Sequence, residues 1–169
     1  MVRFTYADSE EVVDIVKSGK AGKDFLVVDV RDDDFVGGNI TGAKNVPSAQ
    51  FNDRIEDLIA ETRDVPKVIF HCALSQVRGP KMARIYAEAA ERHGNKVELA
   101  FEKETAKKDD EEAVEQSSKV EDTTKQKPEK PEQEVIVLRG GFTRWQEKYK
   151  NDPQLVENWK ASIWASAYD

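Results

Sequence analysis

Val68-Ile69-Phe70-His71-Cys72-Ala73-Leu74-Ser75-Gln76-Val77-Arg78-Gly79-Pro80 decides how the chain is read. An apolar run stops at Cys72, the only cysteine in 169 residues, and five residues separate it from Arg78. Gly79-Pro80 then opens an amphipathic stretch, with Pro80 suited to the first helical position, where its missing N–H is not needed. The pattern predicts a buried strand, a tight loop and a helix N-terminus, with a thiol at one end of the loop and a guanidinium at the other. Amides of such a loop converge on an anion, and the helix end adds partial positive charge. Arg78 supplies a planar fork for two oxygens of a tetrahedral oxyanion. The same field turns a neighbouring thiol into a thiolate nucleophile. A lone cysteine is by itself more often a small buried hydrophobe. The strand, the arginine and the helix start around Cys72 reverse that reading. Ser75, within the loop, has two open roles: helping the leaving group or water, or bonding a loop amide.

Upstream, Asp8-Ser9-Glu10-Glu11 reads as a helix start with Asp8 as cap and Glu11 reaching back, and Gly19 as its end. Phe25-Leu26-Val27-Val28-Asp29-Val30 is nearly all apolar, the pattern of a strand buried on both faces of a parallel sheet. Residues 31–38 form a charged, then glycine-rich loop. A second helix is expected from about Ala49 to Thr62, with Phe51, Ile55, Leu58 and Ile59 on one face. After the loop, Met82, Ile85, Tyr86 and Ala89 face inward at helical spacing, and His93-Gly94 ends the helix. His93 is read as a solvated cap and Met82 and Tyr86 as core. Val97–Phe101 is expected as a strand.

Residues 102–133 hold no aromatic residue and are dominated by Glu, Lys, Asp, Gln, Thr and Pro. Such a composition buries too little apolar area to offset ordering entropy, so a charged, disordered insertion is expected there within one domain spanning 1–169. Val135–Leu138 reads as another parallel strand, and Phe142, Trp145 and Tyr149 as the inner face of a helix after Gly140-Gly141. Asp152-Pro153 is expected to begin a last helix with Leu155, Val156, Trp159 and Ile163 inward. Alternating strands and helices give an α/β fold with a mostly parallel central sheet flanked by helices. Its ligand site is expected at the carboxyl ends of the strands.

The net charge of −7 argues against general nucleic-acid binding. No apolar run is long enough to span a membrane, and Met1–Thr5 lacks the apolar core of a signal peptide. One cysteine makes no internal disulfide, which fits a reducing compartment. A cytoplasmic protein is expected, with access to the nucleus left open by Lys125, Lys127 and Lys130. One cysteine and two histidines are too few for a usual zinc site, so no metal is expected.

The residues also carry a resemblance. His71-Cys72, five residues, Arg78-Gly79-Pro80 and Met82 resemble the signature of the cell-division-cycle dual-specificity phosphatases and their arsenate-reductase relatives, which use a rhodanese-like fold. Asp29-Val30-Arg31 is similar to the family's Asp-x-Arg. Gly38-Asn39-Ile40-Thr41-Gly42-Ala43-Lys44-Asn45-Val46-Pro47 is similar to its Gly-His-Ile-x-Gly-Ala-x-Asn-Ile-Pro loop. Val137–Phe142 and Trp145 resemble its last strand and turn. The resemblance implies a cysteine nucleophile at Cys72, oxyanion binding by Ala73, Leu74, Ser75, Gln76, Val77 and Arg78, and no cofactor. Cys72 through Arg78 makes a loop one residue longer than sulfurtransferases of this fold typically have, which fits phosphate or arsenate better than a sulfane sulfur.

Two positions depart from the cell-cycle phosphatases. Their loop glutamates, proposed proton donors, are replaced by Ala73 and Val77, and their second, disulfide-forming cysteine by Val30. Asp29 is then the candidate acid, with a structural hydrogen-bonding role the weightier reading. Three functions stay open. The first is a phosphatase acting on phosphotyrosine and on phosphoserine or phosphothreonine in a phosphoprotein. The second is an arsenate reductase using Cys72 with an external thiol such as glutathione, and glutaredoxin as partner. The third is a rhodanese-like module that binds an oxyanion or a partner without catalysis.

Overall fold

The structure is a computed structural model describing residues 4–93 and 132–165. The chain divides into two units, Met1–Glu88 with Gln133–Asp169, and Ala89–Glu132. The strand expected at Val97–Phe101 and nearly all of the expected insertion at 102–133 lie outside the described residues. Gln133 is described and belongs to the first unit. Its side-chain amide donates to the carbonyls of Thr62 and Val65, each at 2.8 Å, and its Oε1 accepts from the Tyr86 hydroxyl at 2.7 Å.

In chain order the elements are β1 (Thr5–Ala7), α1 (Ser9–Ser18), β2 (Phe25–Asp29), β3 (Asn39–Ile40), β4 (Lys44–Asn45), α2 (Phe51–Glu61) and β5 (Lys67–His71). A helix α3 covers residues 78–93. Then come β6 (Glu134–Leu138), α4 (Gly141–Tyr149), β7 (Val156–Glu157) and α5 (Ala161–Ala165). Five strands form one parallel sheet in the order β1-β6-β5-β2-β4, flanked by helices. Among the described residues no helix is long and apolar enough to cross a membrane.

The apolar runs of β2, β5 and β6 are continuous because both faces of these strands are covered. Register places Val27 beside Ile69 and Ile69 beside Ile136, and on this face Phe25, Val27, Ile69, Ile136 and Leu138 share a core with Val12 of α1 and Phe142 and Trp145 of α4. The alternate residues point the other way. Phe70 meets Phe51 of α2 at 6.1 Å between ring centroids and Tyr86 of α3 at 5.2 Å. Because side chains alternate, a slip of one residue would exchange the two cores, so the hydrophobic pattern fixes the register. The central strand β5 is thereby held between β6 and β2, and the chain leaves it at Cys72.

Three local expectations are corrected. Helix α1 begins at Ser9 as expected, but Asp8 makes no side-chain cap bond; its carboxylate pairs with Arg139 at 3.1 Å. Helix α3 starts at residue 78, so Pro80 is its third residue, still within the first turn where N–H groups lack helical partners. The helix expected from Asp152 becomes a single turn, with the amides of Leu155 and Val156 donating to the Asp152 carbonyl at 3.0 and 2.9 Å. It stops because the Leu155 carbonyl is taken by the Trp145 indole N–H at 3.0 Å and the Thr41 amide at 3.2 Å. Val156–Glu157 then pairs antiparallel with Asn39–Ile40 instead. Leu155 and Val156 are buried as expected, through tertiary bonds that helical spacing does not reveal.

Candidate active site

The site is built where β5 ends. Cys72 follows the strand directly, and the Val30 amide extends the β2–β5 ladder one step by donating to the His71 carbonyl at 2.9 Å. Beyond it the loop turns back on the sulfur. The amides of Ser75 and Gly79 donate to Cys72 Sγ at 3.2 and 3.3 Å, and the Cys72 amide donates to Ser75 Oγ at 3.4 Å. Ser75 adopts a left-handed backbone, φ +55°, which closes the turn. Of its two expected roles, the geometry shows the bond to a loop amide. The amides of Ala73, Leu74, Gln76, Val77 and Arg78 make no hydrogen bond among the described residues, leaving them free for an anion. Leu74 and Val77 are exposed, giving the loop an apolar outer rim.

The loop's carbonyls are held from behind by the first turn of α4. Phe142 N–H donates to the Cys72 carbonyl at 3.0 Å and Thr143 N–H to that of Ala73 at 2.9 Å. Amides that a helix start leaves unpaired are used here to fix the two peptide planes that open the loop. Gly141 permits the approach: at φ +58°, a Cβ would lie 2.4 Å from the Ala73 carbonyl oxygen. The Gly140-Gly141 pair thus has a reason beyond a turn.

Asp29, the candidate acid, is fully buried and wholly engaged by Arg31. Arg31 Nη2 approaches Asp29 Oδ2 at 2.7 Å, its Nε lies 3.0 Å from both oxygens, and its own amide donates to Oδ1 at 3.1 Å. Arg31 also donates to the carbonyls of Asp34 and Gly38 at 3.3 and 2.9 Å. Its guanidinium lies between the rings of Phe35 and Phe142, 5.1 and 4.4 Å from their centroids. Asp29 thus anchors the arginine that shapes residues 31–38.

The sequence marks His71 only by its place beside Cys72. It is fully buried, with Nδ1 at 3.0 Å from the Cys72 carbonyl and Nε2 at 3.6 Å from Asp29 Oδ2, where it makes no hydrogen bond. Burial holds its pKa below the ordinary 6.5, outweighing the raising effect of Asp29, so the ring is neutral. The folded state therefore refuses a proton that the unfolded chain accepts. This contribution to stability is complete above the unfolded pKa and is lost progressively as pH falls from there to the folded pKa. NMR should show the His71 ring protonating only at lower pH than a free imidazole, with the melting temperature declining as pH falls from the unfolded pKa towards the folded one; a ring that titrates at the ordinary value with stability unchanged would refute this.

The Arg78 fork is partly occupied by carboxylates. Its Nη1 and Nη2 meet Asp34 Oδ1 and Oδ2 at 2.8 and 2.6 Å, and Nη1 also meets Asp32 Oδ2 at 3.2 Å. Asp34, then Asp32, and the Cys72 sulfur too, raise the Arg78 pKa further above its already high value. Arg78 in turn is the main reason the Asp34 carboxyl lies below its usual range. For Asp32, partial burial is the largest influence and works upward, but bonds from Ser48, Ala49 and Arg78 together bring it down. Both carboxyls are therefore ionised at neutral pH and hold no proton for a leaving group. The sequence showed Asp32 and Asp34 only as part of a charged loop.

This chain matches the rhodanese-like domain family over residues 10–148. It is 29% identical over 131 residues to the dual specificity phosphatase ibp1 of Schizosaccharomyces pombe, covering 78% of this chain and 81% of that protein. It is 32% identical over 85 residues to arsenate reductase 2.2 of Oryza sativa, covering 50% and 62%. Among solved structures, Ygr203w, a yeast protein tyrosine phosphatase of the rhodanese family, superposes with a TM-score of 0.63 at 22% identity, covering 97% of this chain and 99% of that one. Its relatives are thus rhodanese-like phosphatases and arsenate reductases. With a five-stranded parallel sheet, a cysteine at the end of the central strand and a family match from residue 10 to 148, the chain belongs to the rhodanese-like domain family.

Proposed function

We propose that this chain is a cysteine-dependent phosphatase acting on phosphotyrosine, and on phosphoserine and phosphothreonine more slowly, through a cysteinyl-phosphate. The observation that carries the reading is the loop itself: two amides aimed at Cys72 Sγ, five free amides after it, and Arg78 closing the turn. Sγ attacks phosphorus as the bond to the ester oxygen breaks. The loop amides and Arg78 hold the three remaining oxygens, where charge builds. Water then attacks the thiophosphate, releasing phosphate and the thiol. No cofactor enters this cycle.

The second reading, arsenate reduction, is favoured by one feature of the loop. Ala73 and Val77 offer no carboxylate, and Asp32, Asp34 and Asp29 are all engaged by arginines, so among the described residues of the site none of these stands ready to protonate an alkoxide. Arsenate needs no such donor for an ester oxygen. Cys72 would attack arsenic(V) with loss of water, and an external thiol such as glutathione would complete the cycle. Two thiols become one disulfide, and their two electrons reduce arsenic(V) to arsenic(III); glutaredoxin would return Cys72 to the thiol.

The two readings separate at the second step. Phenolates leave without a proton and alkoxides do not, and Leu74 and Val77 present apolar surface beside the reacting centre. Purified protein should therefore hydrolyse aryl phosphates measurably, alkyl phosphates more slowly, and be inhibited competitively by arsenate. Arsenite formed from arsenate with glutathione and glutaredoxin, without aryl phosphatase activity, would transfer the assignment to the reductase. Oxyanion binding with silence in both assays would make the chain a binding module.

A further inference from the structure

The five N–H groups of an arginine lie in one plane and divide into edges. Asp34 occupies the edge between Nη1 and Nη2, with both of its oxygens engaged at 2.8 and 2.6 Å. Asp32 Oδ2 accepts the remaining hydrogen of Nη1 at 3.2 Å. What is left is the edge formed by Nε–H and the second hydrogen of Nη2, two parallel donors that match two oxygens of one oxyanion. Nε makes no hydrogen bond among the described residues.

The carboxylates on the other edges are braced. Arg31, buried on Asp29 and lying between two rings, donates to the Asp34 carbonyl at 3.3 Å and the Gly38 carbonyl at 2.9 Å. The Asp32 amide donates to Asp34 Oδ1 at 3.0 Å, tying the two acids together. Asp32 itself accepts from the Ser48 hydroxyl through Oδ2 and from the Ala49 amide through Oδ1, the latter at 3.0 Å. Residues 31–32 and residues 48–49, two separate stretches, thus hold the acidic pair in place, an arrangement that does not suit side chains waiting to be displaced by substrate.

We propose that Asp34, supported by Asp32, is a positioning residue that fixes the Arg78 guanidinium so that its Nε–Nη2 edge is free to grip the oxyanion held over Cys72. The carboxylate pair takes up the donors the oxyanion does not need and removes rotamers in which Arg78 swings into solvent. Without it Arg78 keeps its charge but loses its aim, and a fork that must find its orientation during each encounter gives up much of its effect on the transition state. The inference rests on the proposed phosphatase reaction only where turnover is measured.

The test compares the wild type, Asp34→Ala, Arg78→Lys and the double variant, using tungstate binding by calorimetry and the kcat and KM for 4-nitrophenyl phosphate. Asp34→Ala should weaken tungstate binding about tenfold and lower kcat by about tenfold to a hundredfold, with KM for the small ester changing less. Its melting temperature should stay close to wild type, because the pair is partly exposed. In the Arg78→Lys background the same substitution should add little, since the residue through which it acts is already altered. Tungstate bound as tightly or more tightly by Asp34→Ala would overturn the proposal, showing a carboxylate that competes with the oxyanion or ignores it. Fully additive losses would overturn it too. If the wild type binds tungstate but turns over no ester, the phosphatase reading fails while the binding comparison still decides the role of Asp34.

Discussion

Cys72→Ser should remove phosphatase turnover while leaving oxyanion binding in place. Loss of a covalent nucleophile lowers the rate by as much as about a millionfold in well-studied hydrolases. The scale applies here because no described residue beside Cys72 is placed to take over. Cys72 is the only cysteine of the chain, and Ser75 Oγ is turned towards the Cys72 amide rather than left free. A serine oxygen at position 72 would still accept from the amides of Ser75 and Gly79, so the loop keeps its shape. It would not give up its proton, since the adjacent histidine is bonded to the backbone and offers no base to the side chain. Tungstate binding should therefore persist in a protein that releases no 4-nitrophenol. Turnover retained in this variant would end the cysteinyl-phosphate mechanism.

The strand, loop and helix around Cys72 were legible because each is encoded over a few consecutive residues. Val68–Phe70 is apolar on both faces, and Gly79-Pro80 sits where a helix begins. The parallel sheet followed from the same logic applied to Phe25–Val28 and Val135–Leu138. Where the reading failed, the deciding partner lay far away in sequence. Leu155 has helical spacing after a good Asp-Pro start, yet its carbonyl is claimed by Trp145 and Thr41, and the chain turns into β7. Asp8 has every property of a helix cap and spends its carboxylate on Arg139, 131 residues away.

The same limit applies inside the site. Cys72 and Arg78 announce themselves by spacing, but Asp32 and Asp34 become meaningful only when residues 31–38 fold against the Arg78 side chain, 44 residues beyond Asp34. Gly141 read as part of a turn; its role against the carbonyls of Cys72 and Ala73 needs the contact of α4 with the loop. The one hint available was composition: three consecutive aspartates directly after Asp29-Val30-Arg31, in a chain whose proposed ligand is an anion, ask for a cation to answer them. Arg78 is that cation.

The second large effect falls on stability. Asp29→Ala should cost about 3–5 kcal/mol, because it leaves Arg31 charged and nearly solvent-free with no counter-ion. At roughly 2–4 °C per kcal/mol for a chain of this size, the melting temperature should drop by on the order of 10 °C. Asp29→Asn should be milder, since an amide oxygen keeps one acceptor for the guanidinium. Replacing both partners, Asp29→Leu with Arg31→Met, separates two roles that a single substitution confuses. An apolar pair of similar volume can pack between Phe35 and Phe142, so much of the lost stability should return. Activity should not return with it. Methionine donates nothing to the carbonyls of Asp34 and Gly38, so residues 31–38 lose the anchor that presents Asp34 to Arg78. If Asp29 were instead the acid of the reaction, Asp29→Asn would change the ratio of aryl to alkyl phosphate hydrolysis while Arg31→Met, with the carboxylate intact, would leave that ratio alone. A structural Asp29 predicts the reverse emphasis: both variants slow the two esters in parallel, in step with their loss of stability. Melting curves and the two-ester rate ratio on the same four proteins decide between these outcomes.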